Sequence, residues 1–262
     1  IPGLSGDHPL TEAQVGELLM TELRCAACHE GISASGQGVI AAPRLDEAAW
    51  RLAPEHLLSW IAAPHATQPG TKMPDVLAPY PELRQEAAVA ITAYLSAKAG
   101  AGFQREAVDE ASRARGRTLF HAVGCVACHA PKEPALDGGG KPEVGDGVVG
   151  LDHVANKYSL ASLSDFLFQP LRVRPAGRMP DMGLTHREAE DIASYLVVDG
   201  SGESAPPKAD AELLLKGEGL LQKLGCVSCH EMEGLSSRPP VTAGRALDPN
   251  GGCLSPDPKL VP

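Results

Sequence analysis

Six of the seven cysteines fall in three copies of one pattern, Cys-x-x-Cys-His. The copies are Cys25-Ala26-Ala27-Cys28-His29, Cys125-Val126-Ala127-Cys128-His129 and Cys226-Val227-Ser228-Cys229-His230. Two thiols one helical turn apart can add to the two vinyl groups of one porphyrin, and the adjacent His can then bind the iron. The pattern therefore predicts a covalently bound haem c at each of the three motifs, with His29, His129 and His230 as the proximal ligands.

Two other uses of paired cysteines fit the pattern less well. A zinc site would need a second Cys or His pair at matched spacing for each motif. A thioredoxin-like redox pair needs no following His and does not occur three times in one chain. The seventh cysteine, Cys253, lies in a turn-rich segment. It is expected to be a buried small residue, a free thiol or one half of an intermolecular disulfide.

The motifs belong to an internal repeat of about 100 residues, since their first cysteines stand at 25, 125 and 226. Apolar residues at helical spacing precede each motif and predict an amphipathic helix of about three turns. A glycine stands nine positions before each first Cys, at Gly16, Gly116 and Gly217. A glycine inside a helix costs about 1 kcal/mol against alanine. Its recurrence predicts close helix packing at that point.

The first two copies also align after the motif. Each has a Pro/Gly-rich segment with a Met-Pro pair, at Met73 and Met179, and then a closing helix that contains Tyr94 or Tyr195. The two methionines follow their first Cys by 48 and 54 residues, which favours them as distal iron ligands over simple core fillers. Met182 is a weaker rival of Met179 because it lacks the Met-Pro register.

These features resemble the class I cytochrome c domain. The resemblance implies an all-α fold in which the closing helix crosses the first helix through a glycine–aromatic contact. Here that contact would join Gly16 to Tyr94 and Gly116 to Tyr195. It also implies that the Pro43 carbonyl orients the proximal His of the first copy. The second copy has Val149-Gly150-Leu151 at this place, so that hydrogen bond is expected to be missing or replaced.

The third copy shows its motif without a second half before Pro262. The favoured interpretation is a longer polypeptide, and the alternatives are a partner subunit that supplies the ligand or a third iron that is open or bound by a His of this chain. We therefore expect the third haem to differ from the other two. The candidate histidines outside the motifs are His8, His56, His65, His121, His153 and His186.

Domain boundaries follow from the repeat and the glycine-rich linkers. We predict tandem helical domains at 1–102 and 103–200, and a partial third domain at 201–262. The net charge of −10 argues against a nucleic-acid partner and favours a basic docking partner. No apolar run is long enough for a membrane span, and no signal peptide is visible. A mature exported chain would look the same, and haem attachment predicts a periplasmic or extracellular location.

An iron with His below and Met above has no free position for a substrate. The expected function is therefore single-electron transfer and not catalysis. The arrangement resembles tri-haem cytochrome subunits that carry electrons from periplasmic dehydrogenases, or cytochrome segments of larger oxidoreductases. The expected partners are a redox donor and a redox acceptor. The alternatives are a peroxidase-like or gas-binding haem enzyme that uses an open third haem, and a polymerising cytochrome whose third domain is completed by a partner.

Overall fold

The computed structural model describes residues 9–22, 42–71, 73–100, 102–130, 148–175, 177–197 and 205–236. The first motif, Cys25 to His29, and Cys253 lie outside the described residues. Within the described ranges the chain is helical, and its extended pairing is limited to isolated bridges. The prediction of an all-α protein is confirmed.

In the described residues, five long helices precede the motifs or follow the Met-Pro segments, and shorter helices and two 3₁₀ turns connect them. The α-helices are α1 (Glu12–Glu22), α2 (Ala48–Arg51), α3 (Pro54–Ala62), α4 (Pro64–Thr67), α5 (Arg84–Lys98), α6 (Glu110–Ala122), α7 (Val154–Lys157), α8 (Leu160–Phe168), α9 (Pro170–Val173), α10 (His186–Val197) and α11 (Ala211–Lys223). The 3₁₀ turns are Cys125–Ala127 and Cys226–Ser228.

The helices predicted ahead of the motifs are α1, α6 and α11, and each starts at a capping side chain. Thr11 and Gln14 hydrogen-bond reciprocally, with the Thr11 amide 2.9 Å from the Gln14 side-chain oxygen. Asp109 accepts from Ser112 N and Asp210 accepts from Leu213 N, both at 2.8 Å. These contacts satisfy amides that have no partner within the helix.

Two of these helices end at a glycine that sends the chain into the motif. Gly124 has φ 97° and Gly225 has φ 74°, in the left-handed region that favours glycine. Each is followed directly by the 3₁₀ turn that contains the first Cys of its motif. The glycine therefore sets where the helix stops and where the motif begins.

Two helix crossings organise the fold: α6 against α10, and α11 against α5. At both, a glycine lets two backbones touch. A Cβ added at Gly116 would lie 1.8 Å from the Asp191 carbonyl oxygen. A Cβ added at Gly217 would lie 2.2 Å from the Ala90 carbonyl oxygen and 2.7 Å from Tyr94 Cβ. The predicted close packing is confirmed at these two positions.

The third repeated glycine behaves differently, and here a prediction is wrong. A Cβ added at Gly16 would meet no atom of the described residues within 4 Å, and Tyr94 packs against Gly217 instead. The expected contact of Gly16 with Tyr94 is therefore not formed. Because α1 and α11 carry the same glycine and a similar apolar register, the surface of α5 can accept the helix from the third copy.

We call the helix and motif of a copy its front half, and the segment that follows the motif, through the Met loop and the closing helix, its back half. The first unit joins residues 42–100, the first back half, with residues 205–236, the third front half. Leu221 and Val227 of the front half share a buried core with Leu57 and Tyr94 of the back half. The second unit, residues 102–197, is built from one copy, and its core contains Phe120 and Tyr195 with ring centres 5.6 Å apart.

The two units meet through equivalent residues. Leu52 and Tyr158, each twelve residues before the proline that opens α4 or α9, form an antiparallel bridge. The Ala53 amide donates to the Lys157 carbonyl at 2.9 Å. An antiparallel pairing of equivalent residues places a local two-fold axis between the units.

Alanine substitution at each of the three repeated glycines should show which of them lies in a close helix crossing. Gly116→Ala and Gly217→Ala should each lower the free energy of unfolding by about 3 kcal/mol, because a methyl group there displaces backbone. Gly16→Ala should be neutral or stabilising by up to about 1 kcal/mol. Denaturant unfolding of the three variants checks this, and an equal loss at Gly16 would place α1 in a close crossing.

An ion pair between the buried Asp191 and the more exposed Arg115 at the second crossing gives a pH-dependent prediction. Arg115 donates to both oxygens of Asp191 at 2.9 and 2.8 Å, and this hydrogen bonding holds the pKa of the buried Asp191 carboxyl below its ordinary value. The resulting stability is present above roughly pH 4 and is lost as the pH falls below it. Asp191→Asn should lower the thermal midpoint by a few degrees at pH 7.

The same variant should lose less stability than the parent protein when both are acidified. The control is Glu86→Gln, which removes an exposed pair with Lys216 across the first crossing and should change the midpoint little. Thermal unfolding followed by circular dichroism between pH 7 and acid measures both effects. Equal midpoints for Asp191→Asn and Glu86→Gln would contradict the assignment.

Candidate haem sites

The motif of the second unit is held by its own backbone and by a short bridge. His129 N donates to Cys125 O at 2.9 Å, which closes the turn that carries both thiols. Val149 N donates to Cys128 O at 2.9 Å, and the Val149 carbonyl lies 3.2 Å from His129 Nδ1. The hydrogen bond expected to be missing or replaced in the second copy is therefore replaced, with Val149 in the role of the proline.

The motif of the first unit comes from the third copy. The Pro43 carbonyl lies 2.7 Å from His230 Nδ1, so it orients the His of the third copy. His29, which the resemblance assigned to this carbonyl, lies outside the described residues. Leu45 N donates to Glu231 O at 2.9 Å, and Glu233 N donates to the Asp46 carboxylate at 2.8 Å. These bonds tie the third front half to the first back half directly beside the motif.

The two motif histidines among the described residues, His129 and His230, are prepared to bind a metal through one nitrogen. A carbonyl oxygen can only accept, so Nδ1 of His129 and of His230 carries the proton. Nε2 is then left with a lone pair, which is the form of imidazole that binds iron. The two motifs reach this arrangement through different backbone carbonyls.

The first cysteine of each described motif, Cys125 or Cys226, packs against the core of its unit. Burial raises the pKa of Cys226 to about 11 and also raises the pKa of Cys125. Neither pair forms a disulfide. A redox Cys-x-x-Cys has a lowered pKa, so these surroundings suit neutral thioether links to a porphyrin better than thiol–disulfide exchange.

The Met loop of the first unit is anchored at both ends. The Trp60 indole Nε1 donates to Met73 Sδ at 2.8 Å. Two residues on, Asp75 pairs with Arg84 of α5 at 2.9 Å, and Arg84 also donates to the Ala62 carbonyl. The thioether is thus held in the unit that contains Cys226, Cys229 and His230.

The second unit brings Met179 to the same core as its motif, since Met179 packs against the buried cluster that includes Phe120. Met182 is 36% exposed at the surface, which agrees with its lower rank as a ligand. The roles of Met73 and Met179 as distal ligands, and of Cys125, Cys128 and His129 in holding a haem, stay predictions.

A polar cluster at the boundary between the units was not found by sequence reasoning. His56 stacks on Trp60, its Nε2 is buried without a hydrogen-bond partner, and burial lowers its pKa to about 3. Lys157 is 5% exposed, and burial lowers its pKa to about 8. One sequence feature could have pointed to this cluster: Lys157 stands at the repeat position that Arg51 occupies in the first copy.

The residues present fit haem c. The group has an apolar ring, an iron and acidic side groups. The two units offer a thiol beside each apolar core, imidazoles whose Nδ1 is held by a backbone carbonyl, a thioether in each unit and the buried Nε2 of His56. When bound, haem c would supply one-electron redox chemistry.

Among the described helices, none combines the length and the apolar character needed to cross a bilayer.

The family model described as Cytochrome c matches the chain twice, over residues 13–98 and 113–198, which together make up about two thirds of it. The first match joins the first front half to the first back half along the sequence. In the structure, the third front half occupies that back half.

The curated relatives include the Cbb3-type cytochrome c oxidase subunit CcoP of Helicobacter pylori strain ATCC 700392 / 26695 and the same subunit of strain 52. Each is 37% identical over 59 residues, a stretch that covers 22% of this chain and 20% of the relative. The chain thus spans about a fifth of the length of the curated relatives it matches. No solved structure gives a significant match.

The pairing in the first unit predicts which haem uses Met73. The double variant Cys226→Ser/Cys229→Ser should lose one methionine-ligated haem, because the motif beside Met73 can no longer attach its cofactor. The matched control, Cys25→Ser/Cys28→Ser, should lose a haem but keep both methionine-ligated signals. The charge-transfer band of methionine-ligated ferric haem, measured against the total haem, reads out the difference. The reverse result would pair Met73 with the first motif.

Proposed function

Because the chain belongs to the cytochrome c family, we propose that it carries three covalent haem c groups and relays single electrons between redox partners outside the cytoplasm. Cytochrome c domains make it an electron-transfer haem protein. The number of haems rests on the three Cys-x-x-Cys-His motifs.

The observation that carries this proposal is the make-up of the two units. Each brings a motif His, with Nδ1 held by a backbone carbonyl, into one packed body with a Met-Pro segment. A His–Met ligand pair fills both axial positions and raises the reduction potential. Such an iron can accept and donate an electron but has no position for a substrate.

The chain's own residues have structural tasks in this function. Pro43 and Val149 hold the imidazoles, Trp60 holds the Met73 sulfur, and the glycine crossings keep the front and back halves together. This rigidity matters because a redox centre that moves little on reduction loses little energy to reorganisation. The direct contact between the units also favours electron transfer from one unit to the other.

The proposed partners are a redox donor and a redox acceptor. The net charge of −10 favours a basic docking surface on at least one of them. The match to an oxidase subunit supports a place for the chain as a subunit or segment of a larger oxidoreductase. Domains 1–102, 103–200 and 201–262 stay the proposed sequence units, with the front half of the third packed on the back half of the first.

A second candidate function is a gas-binding or peroxidase-like haem. The sequence placed the open position at the third motif. Support for the first motif in that role comes from the third front half, which already occupies the back half that contains Met73. Gly16 of α1, by contrast, has no close contact with any described residue. In that case the haem at Cys25 and Cys28 is the one with a position free for a small ligand.

One set of measurements tests the proposal. The intact mass should exceed the 27.3 kDa polypeptide by three haem masses, and complete reduction should take three electrons per chain. Carbon monoxide should bind rapidly to no more than one haem. A chain without added mass or colour would overturn the proposal. Rapid carbon monoxide binding at all three haems would rule out methionine ligation of the irons in the two units.

A further inference from the structure

Lys157 is a buried cation that the second unit places against the first. It ends α7, its side chain is 5% exposed, and its carbonyl accepts from Ala53 N of the first unit. Its Nζ lies 5.8 Å from the centre of the Trp60 ring. Trp60 in turn donates to Met73 Sδ at 2.8 Å. One side chain therefore separates this ammonium group from the thioether of the first unit.

The described surroundings of Lys157 contain no carboxylate at ion-pair distance. Its titratable neighbours are His56, His153, Arg174 and Tyr158, and none of them is a carboxylate. Removing an ammonium group from water costs several kcal/mol unless an opposite charge compensates it. The lowered pKa of Lys157 agrees with an unbalanced positive charge.

The local two-fold axis supplies a comparison within the same interface. The equivalent of Lys157 is Arg51, which is buried as well, at 6% exposure. Arg51 is neutralised by Glu47 of its own unit and by Asp165 of the other unit, the latter at 2.7 Å. On the Arg51 side of the interface, the buried cation is thus matched by two carboxylates.

Both carboxylates are lost around Lys157. By the repeat, the equivalent of Glu47 is His153 and the equivalent of Asp165 is Ser59. The interface therefore keeps the buried cation on both sides and keeps the protein counter-charges on one side only. A buried ammonium group without a protein counter-charge is a place where a bound anion would be strongly stabilised.

We propose that Lys157 binds a carboxylate of the haem held in the first unit, so that the second unit supplies the counter-charge for a cofactor attached at Cys226 and Cys229. This inference rests on the proposed function. The carboxylate is one of the acidic side groups of haem c, and Arg174 stands beside Lys157 as a second positive charge. A free small anion has the same chemistry and is the competing source.

The proposal has a redox consequence. A fixed positive charge near the iron favours the reduced state, which carries one positive charge fewer. Lys157 should therefore raise the reduction potential of the haem in the first unit. Because the lysine belongs to the second unit, that potential depends on the two units being joined.

The test uses the full haem-loaded chain and compares Lys157→Met with Arg51→Met. Lys157→Met keeps an unbranched side chain and removes the charge, so the midpoint potential of one haem should fall while the other two stay unchanged. Arg51→Met should lower the thermal midpoint, because it leaves Glu47 and Asp165 without their counter-charge, and it should not reproduce the selective fall in the potential of the haem in the first unit. Lys157→Arg should restore the parental potential. Spectroelectrochemical titration gives all the potentials.

Two further arms identify the haem and the source of the anion. In the Cys226→Ser/Cys229→Ser background, Lys157→Met should move no potential. Titrating the parent protein with inorganic phosphate should leave its potentials unchanged, and a phosphate-dependent shift that Lys157→Met abolishes would mean a free anion instead. If Lys157→Met does not fold, Lys157→Gln takes its place.

Failure of this proposal is distinguishable from failure of the proposed function. Unmoved potentials in both Lys157→Met and Lys157→Gln, with haem content and methionine ligation intact, would overturn the role of Lys157 and leave the electron-transfer proposal standing. A preparation without covalent haem would instead overturn the proposed function.

Discussion

The contact of one glycine with the backbone of a closing helix is the constraint on which the rest of the structure depends. At Gly116 and at Gly217 a Cβ would fall within 2.2 Å of a carbonyl oxygen, so only glycine lets the helices approach this closely. The motif follows the glycine by nine residues and the Met loop precedes the closing helix. The crossing therefore brings the His and the Met of one unit into the same body.

The same constraint explains how two copies can share a back half. A helix that carries a glycine at the crossing and leucines beside it can pack against α5, whichever copy it comes from. In the described residues α11 does so, and the carbonyl of Pro43 then orients His230. Of α1 and α11, only α11 is followed by a glycine directly before the first Cys of its motif, Gly225. After α1 this position is Arg24. That glycine supplies the left-handed residue at the helix end.

Repetition also shapes the boundary between the units. Equivalent residues pair across a local two-fold axis, so the two sides of the interface begin from the same backbone geometry. Their charges then differ, because Arg51 keeps Glu47 and Asp165 while Lys157 faces basic neighbours. A symmetric backbone with an asymmetric charge pattern can give two neighbouring redox centres different potentials without a change of axial ligands.

The sequence alone determined the chemistry, because covalent attachment depends on residue types at short spacing and Cys-x-x-Cys-His carries that information within five residues. It also determined the helices before the motifs, the caps at Thr11 and Asp210, and the close packing at Gly116 and Gly217. Only the tertiary structure decided which front half meets which back half, since Gly16 and Gly217 look alike along the chain. It also decided that Val149 replaces proline and that Lys157 is buried without a carboxylate among the described residues. Both depend on contacts between segments far apart in sequence, which local pattern and spacing do not encode.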